Sequence, residues 1–316
     1  MGQLRDQNWA IRTVGLTKSF GSHNAVDSID LQVPRGSIFG FLGPNGSGKT
    51  TTIRMLLGLA NISAGDVSLL GYSVPNQIGD ALPKVGALVE GPAFYPYLSG
   101  RDNLIRFDSA DRFADPATRS ARVDAALAKV GLTQAEKKKV HAYSLGMKQR
   151  LGIANALLQP RELLVLDEPT NGLDPQGTRE VRNLIRSLAQ EGITIFISSH
   201  LLVEIEQICT HLAVMSKGTI VAQGSVEELS AGEVLNLTLL TSETELAIQG
   251  LKKLGVNGVI DGNRVSALVP AGQIEAQQIV KSLVESGVGV NGFTLLAPTL
   301  EERFVLLTGE GFDVAR

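Results

Sequence analysis

A chain of 316 residues with 43% apolar side chains has material for about two domains, and its 29 basic against 32 acidic residues leave a net charge of -3. That balance excludes an overall basic field advertising nucleic acid or an anionic membrane, and a lone cysteine, Cys209, excludes an internal disulfide. The opening "MGQLRDQNWAIRTVG" has no apolar h-region and no charge-free apolar run of about eighteen residues occurs, so the chain is expected neither to cross a membrane nor to carry a signal peptide.

In chain order, "WAIRTVGLTKSF" and "AVDSIDLQV" alternate apolar and polar residues about the turn "GSHN", which predicts an antiparallel layer. A short apolar strand, Ser37 to Leu42, then enters a glycine-rich turn and a helix expected to bury Ile53, Leu56, Leu57 and Leu59. Residues 101 to about 160 read as mainly helical, with "TRSARVDAALAKVGL" the clearest periodic segment. Within them "YSLGMKQRLGIANALL" is a helix start with Ser144 as N-cap, so it is a second place where an anion is favoured, far from the glycine-rich turn. "RELLVLDEPT" and "GITIFISSH" are apolar runs of strand length separated by the helical "PQGTREVRNLIRSLAQEG", the alternation of a parallel sheet. "HLAVMSKGTIVAQG" predicts a hairpin turning at Lys217 and Gly218.

Composition changes after "SVEELSAGE". The remainder reads as strand 234–241, helix 243–254, strand 257–261, strand 264–269, helix 271–286, strand 288–296 and a last helix over 298–308 carrying Leu300, Phe304 and Leu307. That β-α-β-β-α-β order predicts a small ferredoxin-like accessory domain over 226–316.

The chemistry starts at "GPNGSGKT", which fits G-x-x-x-x-G-K-[ST] between a strand and a helix. Its glycines let backbone wrap a phosphate chain, Lys49 is expected to neutralise the terminal phosphates, and the Thr50 hydroxyl can ligate Mg2+. "LLVLDEP" puts Asp167 and Glu168 at the C-terminal end of a buried strand, where open α/β sheets hold ligands. Asp167 is expected to hold Mg2+ and Glu168 to accept a proton from an attacking water, while His200, closing "TIFISSH", is placed to bond a terminal phosphate. His23, His141 and His211 have no such placement.

Together, the phosphate loop, "YSLGMKQ", "LLVLDEP", "NGLD" and "SSH", in this order, resemble the nucleotide-binding subunit of an ATP-binding cassette (ABC) transporter over residues 10–225. The resemblance implies an α/β fold: a RecA-like P-loop NTPase core with an antiparallel β layer and a helical signature subdomain at about 92–160, followed by the small α+β accessory domain. It implies ATP and Mg2+ as cofactors, with nucleotide held by Gly43, Pro44, Asn45, Gly46, Ser47, Gly48, Lys49, Thr50 and Thr51, and with Phe20 of "LTKSFG" stacking on adenine. A β-layer core position is the competing reading for Phe20. The resemblance also implies that Ser144, Leu145, Gly146 and Met147 close over ATP held by a second copy, so that a lone chain is a poor ATPase, and that Asp174 communicates between the paired sites. Asp174 is alternatively a helix-start acid beside Pro175.

Two departures narrow the resemblance. The signature reads S-L-G-M where the family has S-G-G-Q, and Glu90 stands where the family has a glutamine that bridges Mg2+ and the membrane partner. Both resemble the subgroup of bacterial exporters handling bacitracin, lantibiotics and other drugs, with Glu90 still able to offer Mg2+ an oxygen. After it, "GPAFYPYLSG" is expected to expose Phe94, Tyr95, Tyr97 and Leu98, either to receive a helix of the permease or to form a folded-loop core. The expected partners are integral membrane permease subunits and a second copy of the chain, with no nucleic acid, and the expected location is the cytoplasmic face of the cell membrane. A soluble, non-transport ATPase of the same class is the alternative; it is disfavoured by one cassette, no sustained heptads and a single Cys. A GTP-dependent switch lacks its guanine-reading N-K-x-D motif here.

Overall fold

Continuous apolar runs and alternating ones sort into different sheets, because the first kind needs cover on both faces and the second on one. The computed structural model describes residues 8–91, 93–230, 234–297 and 302, which divide into two units between Val226 and Glu227. The first unit runs through β1 (Trp9–Phe20), β2 (His23–Ile29), β3 (Gln32–Pro34), β4 (Ile38–Leu42), α1 (Lys49–Leu56), β5 (Ala64–Leu69), β6 (Tyr72–Val74), α2 (Ile78–Ala81) and β7 (Val85–Leu88). It continues with α3 (Gly100–Ala110), α4 (Arg119–Lys129), α5 (Leu145–Ala156), β8 (Leu163–Asp167), α6 (Pro175–Gln190), β9 (Thr194–Ser199), α7 (Leu202–Ile208), β10 (His211–Ser216) and β11 (Thr219–Ser225). A short helix, α8 (Val226–Ser230), spans the division.

The alternating segments β1 and β2 pair antiparallel, and β1 also carries β3 and β5, giving the order β2-β1-β5-β6 with β3 beside β1. The apolar runs form the second sheet, order β11-β10-β4-β9-β8-β7, parallel from β10 to β7. Every residue of β4, β8 and β9 is buried. Register sets Phe39 against Phe196, whose rings stack at 5.8 Å, and Phe41 packs on Phe196 at 5.4 Å. Truncating one such ring costs about 3–5 kcal/mol, so this triplet anchors the sheet whose C-terminal edge carries the chemistry. The β10–β11 hairpin turns at Lys217 and Gly218, both at positive φ, as a two-residue hairpin loop requires.

The helical region contains α3, α4 and α5. Buried Asp108 of α3 accepts bonds from Arg119 Nε at 3.0 Å and Arg122 Nε at 2.8 Å. Burial pushes the Asp108 pKa up, and the two guanidiniums outweigh it, holding the carboxyl below its ordinary range. One expectation fails nearby: α1 ends at Leu56 and Gly58 turns the chain at φ 70°, so Leu59 is 66% exposed while Ile53, Leu56 and Leu57 are buried.

The second unit contains β12 (Val234–Leu240), α9 (Thr244–Lys252), β13 (Gly258–Asp261), β14 (Arg264–Pro270), α10 (Ala276–Glu285) and β15 (Gly292–Leu296). Its sheet is antiparallel in the order β13-β14-β12-β15, the connectivity of a split β-α-β unit. Leu237, Leu239, Val265 and Val269 form its core with Leu251 of α9 and Ile279 of α10. α10 starts five residues later than the 271 expected from periodicity, because Gly272 at φ 74° turns the chain and Glu275 with Gln278 forms a capping box. Strand β15 likewise begins at Gly292 rather than 288. The helix expected over 298–308, with Leu300, Phe304 and Leu307, lies outside the described residues apart from Glu302.

Candidate functional site

The loop Gly43–Gly48 leaves the buried end of β4 and delivers Lys49 into the first turn of α1. Glycine is required at two places in it. A Cβ on Gly43 would stand 2.4 Å from the Met215 carbonyl oxygen, and one on Gly48, at φ 107°, 2.5 Å from that of Ala25. Gly46 faces open space, but its φ of 80° lies in the left-handed region that favours glycine. The hairpin turn supports the loop from outside, since Gly218 N donates to the Ser47 carbonyl at 3.0 Å. Helix α1 carries no side-chain cap, so the amides of its first turn are left for a ligand, and the buried Ser47 Oγ has no hydrogen-bond partner among the described residues. A cradle this tight, positively poled and lined by a free hydroxyl fits a phosphate chain.

Lys49 lies across its own loop, Nζ donating to the carbonyls of Gly43 at 2.6 Å and Pro44 at 3.3 Å, with Glu168 Oε1 at 3.6 Å. Burial lowers its pKa below the ordinary lysine range against the pull of Glu168 and Asp167.

Parallel register brings the acids to this loop. β8 ends on Asp167, opposite Ser198 of β9, and Ser198 Oγ donates to Asp167 Oδ1 while accepting from Glu168 N at 2.9 Å. Asp167 Oδ2 accepts from Thr50 Oγ1 at 3.1 Å, a pair of hard oxygens suited to a divalent cation. Glu168 stands at φ 49°, a left-handed conformation costing a non-glycine residue about 1–3 kcal/mol. The Ser198 bond and the contact between Glu168 Oε2 and His200 Nδ1, at 2.8 Å, hold it there. His200, Glu168 and Lys49 thus converge on one edge.

Three predicted residues lie apart from this group. Phe20, the last residue of β1, is 58% exposed with Lys18 Nζ 5.0 Å from its ring centroid, so it is a presented face and not a core residue. Glu90, at φ 61°, pairs with Arg54 of α1 and gives its carboxylate to that guanidinium. Asp174 caps α6 through Gly177 N at 2.9 Å, the helix-start role read as its alternative. The aromatic loop divides: Tyr95 and Tyr97 are exposed, Arg106 stacks on Tyr95 at 4.3 Å, and Phe94 packs edge-on against Phe107 instead of facing solvent.

Ser144 N-caps α5, its Oγ accepting from Met147 N at 3.2 Å. Leu145 and Gly146 open the helix against the turn that carries Gly172 and Leu173. Among the described residues, no hydrogen bond joins Ser144 or Gly146 to the phosphate loop.

Residues 26–171 match the ABC transporter family. Over 311 residues the chain is 40% identical to the bacitracin transport ATP-binding protein BcrA of Bacillus licheniformis, spanning 95% of this chain and 98% of that protein. The chain belongs to the ABC transporter family. It is also 35% identical over 305 residues to the daunorubicin resistance ATP-binding protein DrrA3 of Streptomyces coeruleorubidus, spanning 95% and 96% of the two. Among solved structures it is similar to cbiO1 from Clostridium perfringens, part of an ABC transporter complex, at TM-score 0.65 and 25% identity over 78% of this chain and 96% of that one. A second likeness, to an ATP-binding cassette in its ADP conformation, has TM-score 0.63 and 26% identity over 70% and 92%. The chain is therefore an ATP-binding, ATP-hydrolysing transporter subunit with a P-loop NTPase core.

Sequence reasoning missed four supports of this ABC subunit. Ser198 ties Asp167 to Glu168, and its only signal was its place two residues before His200 in "SSH". Arg54 meets Glu90 from one turn beyond Thr50, a spacing that means nothing until the segment after β7 reaches α1. The turn at Gly218 under the phosphate loop, and Glu204 bonding Thr170 beyond Glu168, are long-range contacts with no local mark.

Proposed function

We propose that two copies of this chain clamp two ATP molecules on the cytoplasmic face of a membrane and drive a permease that exports antibiotics, antimicrobial peptides or other drugs. The observation that carries the reading is the separation of parts: Lys49, Thr50, Asp167, Glu168 and His200 gather at the phosphate loop, while Ser144 and Gly146, at the start of another helix, make no hydrogen bond to it among the described residues. One side of a triphosphate in the loop is then left for the helix start of a partner, whose amides complete the positive field the reaction needs. A solved relative of the same fold, 20% identical, is a dimeric ATP-binding cassette bound to ADP and Pi, which agrees with the pairing.

In the hydrolytic step Glu168 accepts the proton of the attacking water, and Lys49 leaves the Gly43 carbonyl for the terminal phosphates. His200, with Nδ1 toward Glu168, turns Nε2 to the γ-phosphate. Thr50 and Asp167 would hold Mg2+, which would supply positive charge against the phosphate oxygens. No described helix is long and apolar enough to cross a membrane, and the permease is read as the part that forms the pathway for cargo. The substrate class rests on the names of the relatives that match this chain along nearly its whole length. Phe20 is read as the adenine platform, and exposed Tyr95 and Tyr97 as part of the face that meets the permease.

The test is purification of tagged chain from its native membrane. An integral partner that stimulates ATP hydrolysis supports the reading. Recovery with ribosomes or DNA and no membrane protein overturns it.

A further inference from the structure

Leu145 stands where the family has glycine, and its surroundings give it a task. It is the first residue of α5 and 46% exposed, yet its side chain reaches back to the turn before α6: a Cβ on Gly172 would lie 3.3 Å from Leu145 Cδ2. The next residue continues the contact, since a Cβ on Gly146 would lie 3.6 Å from Gly177 Cα and 3.9 Å from Leu173 Cδ2. The turn beneath is closed by its own hydrogen bonds. Asn171 N bonds Glu168 O at 3.1 Å, Leu173 N bonds Thr170 O at 3.2 Å, and Asp174 caps Gly177. Its first residue is Glu168, already held at φ 49°.

We infer that Leu145 is a positioning residue that couples the start of α5 to the Glu168 of its own chain. Resting on the shared-site reading, this means that when the helix start closes on the triphosphate of the partner, the leucine presses the Gly172 turn and sets the Glu168 carboxylate in its own pocket. Glycine at this position, having no side chain, leaves the two sites without that contact. Each pocket is then tuned by the nucleotide in the other.

The experiment compares Leu145→Gly, Leu145→Met and Glu168→Gln with the wild-type full-length chain. Leu145→Gly is expected to lower kcat roughly tenfold while KM for ATP changes less than about twofold, because binding groups are intact and only the base is misplaced. Its Hill coefficient for ATP falls toward one. Leu145→Met, long enough to reach Gly172, restores most of both. The double variant Leu145→Gly with Glu168→Gln still accumulates the ATP-bound dimer. The inference is overturned if Leu145→Gly keeps wild-type kcat and cooperativity, if methionine does not rescue, or if the double variant loses the dimer, which would place Leu145 in binding and not in positioning. A single Glu168→Gln chain that stays monomeric with Mg-ATP removes the shared site itself, and the inference with it.

Discussion

Two helix starts in the first unit offer amides to anions, and they are built in opposite ways. α1 begins at left-handed Gly48 with no side-chain cap, enclosed by Ala25, Met215 and the Gly218 turn, and a lysine from its first turn lies over the loop. α5 begins at Ser144, whose hydroxyl already caps Met147 N, with exposed Leu145 beside it and no basic residue among its first three. The first is a complete cradle; the second is a lid without a box. An enclosed start can bind triphosphate alone, whereas an exposed capped start gains its anion only when another surface brings it.

Glu168→Gln should sharpen the contrast most, since it removes the base and leaves both starts intact. Hydrolysis falls by roughly 10²- to 10⁴-fold and Mg-ATP drives a dimer visible by sedimentation. Ser144→Arg attacks only the lid, and hydrolysis should drop at least about 10²-fold while isolated chains bind ATP as before, so a lost binding signal would mean that the two starts serve one phosphate. Lys49→Ala attacks only the cradle, with ATP affinity expected to weaken about 10- to 100-fold in titration calorimetry. Glu90→Ala, which frees Arg54, is expected to slow hydrolysis or uncouple it from transport by a few-fold, and wild-type values in both assays would make Glu90 a surface acid paired with Arg54.

The smallest effect is a proton count. Burial lowers the Lys49 pKa below its ordinary 10.5, so the cost of keeping it charged is present below the lowered value and fades as pH rises through it. A triphosphate restores the charged form, and at alkaline pH between the two values ATP binding should take up a fraction of a proton. Calorimetry in buffers of different ionisation enthalpy measures it, and zero uptake would assign the shift no role in binding.

The two units differ in how much their sequence disclosed. In the first, "GPNGSGKT", "LLVLDEP" and "SSH" could be read directly, because each needs special residues at fixed local spacing. In the second, strand and helix order was legible from periodicity, but the start of α10 depends on Gly272 and a capping box that a hydrophobic pattern passes over. Leu59 was misread for the same reason: helical spacing continued past the glycine that ends the helix.

The sequence by itself determined the phosphate loop, the identity of the two acids and the histidine, and the capped start at Ser144, all set by backbone sterics and chemistry within a few residues of one another. Tertiary structure decided the rest. Only the parallel register puts Ser198 between Asp167 and Glu168, only packing gives Glu90 to Arg54, and only the approach of α5 to the Gly172 turn gives Leu145 its contact. Those neighbours come from far along the chain, and burial of apolar strands, which specifies no particular pair, is what brings them together.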